Sequence, residues 1–312
     1  MLSSQPHRIH ARHVALVLTA WAVAGCARTG DAAHDSASDR AATPAAGFVD
    51  DFGDTLHVRE ARRIVSLSPT TTELLYTIGA GERVVGRTRY DVWPAAAKRV
   101  TDLGPGLRPN IELVMATRPD LVVLYAANDN RPAARALHAA GIATLSLKID
   151  RIADFDRAAA ILGDVTGRRA AADATADSVE RTLARVRSAV ATLPRPRVLW
   201  FLWDNPPLVL GHASYQSELL DIAGGVNVYD DWPDAAAKVS LEDVLRRDPE
   251  VILADPGADV MVNRSTRWRG VRAVRDGRVY AINDTLLNRP GVTLGMAAAS
   301  LARLLHPGWE GP

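Results

Sequence analysis

Cysteine is nearly absent. The single one, Cys26, in 312 residues excludes an intrachain disulfide and any cysteine-based metal cluster. Aromatic residues are scarce at 5%, although hydrophobic residues at 47% suffice for a globular core. Val14 to Val23 is an apolar run too short to cross a bilayer of about 30 Å as a helix. No excess of one charge exists: the net charge is +1, and near −1 without Arg8 and Arg12. That balance offers no polyanion-binding surface, and nucleic acid is not an expected partner. The eight histidines form no H-x-H or H-E-x-x-H pair, so no metal site is expected. No G-x-S-x-G elbow, P-loop or G-x-G-x-x-G is present, and neither a cofactor nor covalent chemistry is expected.

What is present begins with an address. Arg8 and Arg12 precede the Val14–Val23 run, as in a secretory signal. The run ends in Val23-Ala24-Gly25-Cys26, which resembles the lipobox of lipoproteins, where the cysteine carries the lipid. A core cysteine after an ordinary signal is the alternative. Residues 1–25 are therefore expected to be a signal peptide and 26–47, rich in Ala, Ser, Thr and Asp, a flexible tether. An exported, membrane-anchored protein follows, in the periplasm or at the cell surface.

A pattern occurs twice. Glu112 is followed by Pro119, Asp120 and the run Leu121–Leu124; Glu242 is followed by Pro249, Glu250 and Val251–Leu253. Each reads as a short helix headed by a glutamate, a proline turn and a buried strand. Helix–proline–strand units are common, so chance is the competing explanation. Around them, strands predicted at 63–67, 84–86, 143–147, 198–202 and 278–282 alternate with helices at 74–78, 132–140, 215–223 and 292–305, and 48–58 reads as a small hairpin. Between the two halves, Val179, Leu183, Val186, Val190 and Leu193 form one helical stripe, with no Gly or Pro from Arg168 to Leu193. The expected architecture is α/β: two Rossmann-like lobes with parallel sheets, at 48–165 and 194–312, joined by one long rigid α-helix at 166–193. A coiled-coil role for that helix is the alternative. Ligand belongs between the lobes, where loops at the strand ends meet. Those loops carry Tyr90, Trp93, Tyr125, Trp203, Trp232 and the stretch to Arg289.

Four blocks resemble one family. They are Arg63 to Pro69 with Thr72-Glu73-Leu74-Leu75 and Gly79-Ala80-Gly81; Asn110-Ile111-Glu112 with Arg118 to Val122; Tyr215 and Glu218 to Leu220 with Gly224 to Asn227; and Ser240 to Val244 with Pro249. Together, over about residues 48–306, they resemble the class III, helical-backbone periplasmic substrate-binding proteins of ABC importers for vitamin B12, ferric siderophores and haem. The resemblance implies that Glu112 and Glu242, one per lobe, salt-bridge to arginines of a permease dimer. It implies a monomeric receptor that performs no chemistry. A hydrolase using Glu112 and Glu242 as acid and base is the competing class.

Asn205-Pro206-Pro207 with Gly211, and the Tyr90 loop, look most like the vitamin B12 receptors. By that resemblance Tyr90 and Thr285-Leu286-Leu287-Asn288-Arg289 would touch a cobalamin or related corrinoid, although Leu286, Leu287 and Asn288 depart from the aromatic and acidic residues of that pattern. A ferric siderophore remains open through Arg87, Arg89, Arg108 and Arg289, and haem through Tyr90 as a ligand.

Overall fold

The β-branched runs and the helix-forming segments between them fold as two α/β lobes. The computed structural model describes residues 47–57, 60–282, 284–287 and 289–311. The signal segment, Cys26 and the tether up to residue 46 lie outside the described residues, as does Asn288. A two-stranded hairpin, β1 (Phe48–Val49) and β2 (Thr55–Leu56), comes first, as predicted. The first lobe then runs β3 (Ile64–Ser66), α1 (Pro69–Thr77), β4 (Val84–Arg87), β5 (Thr101–Asp102), α2 (Ile111–Ala116), β6 (Leu121–Tyr125), α3 (Arg131–Ala139) and β7 (Ala143–Leu147). Its sheet has the order β5-β4-β3-β6-β7 and is parallel throughout.

The helix α4 (Ile152–Val165), unread in the sequence, leads into α5 (Arg169–Val190). At about 1.5 Å per residue, α5 is roughly 33 Å long. Four of the five predicted stripe positions, Val179, Leu183, Val186 and Val190, form its buried face, each side chain contributing about 1.5–3 kcal/mol, whereas Leu193 lies past the helix's end and is half-buried. Two glycines allow α5 its close neighbours. A Cβ at Gly163 of α4 would meet Ala172 at 2.7 Å, and one at Gly295 would collide with Thr182.

The second lobe runs β8 (Arg197–Trp203), β9 (Leu208–Leu210), α6 (Tyr215–Ile222), β10 (Val226–Asn227), β11 (Ala236–Lys238), α7 (Leu241–Arg247), β12 (Val251–Ala254), α8 (Ala258–Arg264), α9 (Arg272–Arg275), β13 (Val279–Ala281), α10 (Asp284–Leu287) and α11 (Leu294–Leu305). Here the expectation of parallel sheets needs correction. β8, β12 and β13 are parallel, but β9 and β11 are antiparallel at the other edge. The connection from Trp203 to Leu208 is too short for a crossover, so β9 can only return as a hairpin. The stretch after residue 282, expected as loop, contains the turn of helix α10.

Both lobes belong to one compact unit. Strand alternation explains how they share a core. Leu121 and Val123 of β6, and Val251 and Leu253 of β12, face a common cluster that includes α4, α5 and α11. Val122 and Leu124 face the first lobe's outer cluster, and Ile252 and Ala254 the second's.

Candidate ligand crevice and docking faces

A crevice of about 470 Å³ is lined by Ser68, Pro69, Thr70, Tyr90, Tyr125, Ile149, Asp150, Tyr215, Arg289 and Pro290. The residues from the first lobe follow or end β3, β4, β6 and β7, at the carboxyl ends of parallel strands, where such folds hold ligands. Tyr215 and Arg289 come from the second lobe. Of the residues expected to bind ligand, the structure brings together Tyr90, Tyr125 and Arg289.

The Tyr90 loop is held from below. Asp91, fully buried, accepts hydrogen bonds from the Thr72 and Thr88 hydroxyls at 2.6 and 2.5 Å. Burial pushes the Asp91 carboxyl above its ordinary range, more than these bonds pull it down. Tyr90 itself is 54% exposed. Tyr125 donates to Asp150 at 2.6 Å, and burial together with that carboxylate raises its phenol and keeps it protonated. Burial does the same to Tyr215, whose hydroxyl donates to the Leu287 carbonyl at 2.9 Å.

Trp93, Trp203 and Trp232 do not line the crevice. Each is exposed, Trp203 at 71%. Trp93 follows β4, Trp203 ends β8 and Trp232 follows β10, so each stands at the carboxyl end of a parallel strand. Leu287 has no exposed side chain and packs in the shared core, so it lies behind the crevice surface and not on it. Leu286 is half-buried against the same core. The Thr285 side chain lies outside what the structure describes. Ser68, Thr70, Asp150 and Tyr215 were not singled out in the sequence as site residues. The position of Tyr215 and Ser68 in the family-like blocks was the available signal.

The arginines expected for an anionic chelate are mostly engaged elsewhere. Arg87 donates to the carbonyls of Ala97 and Thr88 at 3.1 and 2.7 Å. Arg108 pairs with Asp129 at 3.2 Å, away from the crevice. Among the described residues, Arg289 is the one arginine lining the crevice. It pairs with Glu73 at 2.7 Å and donates to the Tyr90 carbonyl at 3.1 Å. No group of three or more His, Cys, Asp or Glu among the described residues is placed to hold a metal, and no helix among them is long and apolar enough to cross a membrane.

Glu112 and Glu242 are exposed in the first turns of α2 and α7, and neither lines the crevice. Asn110 and Ser240 cap these helices through side-chain oxygens that accept backbone N–H groups at 3.1 Å. Glu242's own backbone N–H and the Ser240 hydroxyl hold its carboxyl below the usual range. A general acid would need the opposite shift. Leu113 and Met115 beside Glu112, and Leu245 beside Glu242, are exposed.

Two lobes, a helix between them and a crevice at the strand ends define a two-lobed ligand-binding protein. Residues 64–286 match the family model described as periplasmic binding protein. A vitamin B12-binding protein of Yersinia pestis is 30% identical over 260 residues, covering 80% of this chain and 88% of its own. An uncharacterized ABC transporter substrate-binding lipoprotein of Bacillus subtilis is 26% identical over 306 residues, covering 94% and 96%. The crystal structure of the periplasmic vitamin B12 binding protein of Vibrio cholerae superposes with a TM-score of 0.68 at 25% identity, covering 78% of this chain and 96% of that one. The chain belongs to the periplasmic binding protein family. It is an exported substrate-binding protein of an ABC transporter and not an enzyme, and its partners are a permease and a small-molecule ligand.

Proposed function

We propose that this protein captures cobalamin or a related corrinoid between its lobes and delivers it to its permease, while a lipid on Cys26 tethers it to the membrane. The observation that carries the ligand is the charge of the crevice. Its charged lining residues among those described are Asp150 and Arg289, and each already has a partner within the protein. Around them stand Tyr90, Tyr125, Tyr215 and hydroxyl groups, which suits a large ligand of low charge held by apolar contact and a few hydrogen bonds. A crevice of about 470 Å³ is of the size used for drug-like molecules. A corrinoid is larger and would project onto the rim, where Trp93, Trp203 and Trp232 are exposed. The vitamin B12-binding relatives support the same ligand. The lipoprotein relative supports the anchor, since Cys26 ends a lipobox-like sequence. Glu112 and Glu242 serve as docking contacts, one per lobe. Exposed ion pairs contribute only about 0–1 kcal/mol each, so they register and steer more than they hold.

Calorimetric titration of the mature chain with cyanocobalamin, a ferric siderophore and haem tests the ligand. Heat and saturable binding with cyanocobalamin alone are expected. Binding of either other chelate with none of cyanocobalamin would replace this reading.

A further inference from the structure

A buried carboxylate sits beside the crevice without lining it. Glu73, on α1, is 3% exposed. Its Oε1 accepts from Arg289 Nη1 at 2.7 Å, between residues 216 positions apart and on different lobes. The other oxygen lies against the segment after Arg289, 3.7 Å from where a Cβ of Gly291 would stand. The second nitrogen of the same guanidinium donates to the Tyr90 carbonyl at 3.1 Å. One side chain of the second lobe therefore ties α1 and the Tyr90 loop of the first.

We infer that Glu73 is a positioning residue of the crevice: it fixes Arg289 across the two lobes and neutralises it, so that the crevice accepts an uncharged ligand and turns away an anionic one. A buried ion pair is poor value as a stabilising device, because desolvation offsets much of the attraction. Its location gives it another use. An anion approaching Arg289 must compete with a carboxylate that water does not reach, and stripping Arg289 away would leave that carboxylate buried and unpaired. Asp150 is treated alike: the Tyr125 hydroxyl donates to it at 2.6 Å and Lys148 Nζ stands 3.4 Å away. The inference rests on the corrinoid reading only for the choice of neutral probe.

The test compares wild type with Glu73→Gln, which keeps the shape and a hydrogen-bond acceptor but frees the arginine's charge. Both are titrated with cyanocobalamin and with an anionic ferric tris-catecholate complex. In parallel, spin labels at Arg135→Cys and Arg264→Cys, exposed on α3 and α8 in a Cys26→Ser background, report the distance between the lobes without ligand. For Glu73→Gln, affinity for the anion rises on the order of tenfold and declines with added salt, as for an accessible unpaired charge. The cyanocobalamin affinity drops and the interlobe distance distribution broadens. Unchanged anion binding with an unchanged distribution overturns the inference. A wild-type chain that ignores cyanocobalamin overturns the ligand reading alone, because the anion and distance comparisons still decide the role of Glu73. Should Glu73→Gln not fold, Arg289→Gln replaces it: the distribution broadens equally, but no anion binding is gained. A gain there, or an unbroadened distribution, contradicts the inference.

Discussion

The unit from Asn110 to Tyr125 and the unit from Ser240 to Ala254 share one framework and differ in finish. In both, a polar residue caps a short helix, and Val114 and Val244 are the buried side chains that fix it to its lobe. In both, the residue before the proline is left-handed, Arg118 at φ 48° and Asp248 at φ 45°. The acid after the proline then accepts backbone N–H groups from the start of the neighbouring strand. Asp120 takes those of Arg62 and Arg63, and Glu250 that of Arg197. The arginine at the head of that strand reaches back to carbonyls at the helix's C-terminal end, Arg63 to Thr117 and Arg118 just past α2, Arg197 to Arg247, the last residue of α7. The difference lies one position after each glutamate. Leu113 is an exposed apolar side chain. Its counterpart Asp243 accepts from Tyr229 at 2.9 Å and from Arg246 and Arg247, and Arg247 also pairs with Asp231. The repeat therefore preserves the backbone device that presents a glutamate, and leaves each lobe free to surround it differently, with an apolar shoulder on one and a charge network on the other.

The largest expected effect on stability is Asp243→Leu, which makes the second unit imitate the first. It leaves the Tyr229 hydroxyl and Arg246 without their acceptor, takes from Arg247 one of its partners while Asp231 remains, and costs about 2–3 kcal/mol in denaturant unfolding. The reverse change, Leu113→Asp, touches no buried partner. It stays within about 0.5 kcal/mol of wild type, while weakening permease binding if the apolar shoulder is used. Between these lie Arg63→Ala and Arg197→Ala, each expected to cost about 1–2 kcal/mol because each uncaps helix carbonyls. Clearly unequal costs would mean that the two units are only superficially alike. The smallest effect is in pH dependence. Burial raises the Asp243 carboxyl, but bonds from Tyr229, Arg246 and Arg247 outweigh this and hold it below its ordinary range, so its stabilisation exists above a pH of about 4 and is lost as pH falls through its folded value. Glu73 and Asp91 are raised by burial, so their ionisation opposes folding as pH rises through and beyond the ordinary range, and mild acid relieves it. On acidification, hydrogen-exchange protection should fall first around α7 and hold or rise around α1. The opposite order would reverse the assignment of the two networks.

Much of this framework is legible in the sequence. The 3.6-residue stripe from Val179 to Val190 revealed the connecting helix, since nothing but helical spacing satisfies it. The paired Glu–Pro–acid–strand signals showed the two lobes. What stayed hidden depends on contacts distant in sequence. The reach of Arg63 and Arg197 to helix ends 55 and 50 positions away has no local signature. Nor does the Glu73–Arg289 pair: in the sequence Glu73 reads as an early acid in a helix, a residue type usually exposed. The hairpin edge β9–β11 was missed because Leu208–Leu210 and Ala236–Lys238 are too short to show alternation. Position in a family resemblance puts Leu287 on the ligand surface, whereas the turn of α10 directs it into the core.

The proposed docking role requires Glu112 and Glu242, one per lobe, to act on the permease and not on the ligand. The most direct measurement is the affinity of the loaded Glu112→Lys, Glu242→Lys double variant for its permease, taken beside its affinity for ligand. Permease binding and uptake should be abolished with ligand affinity within about twofold of wild type, as expected for exposed charges remote from the crevice. Retained docking, or a comparable loss of ligand affinity, would contradict it.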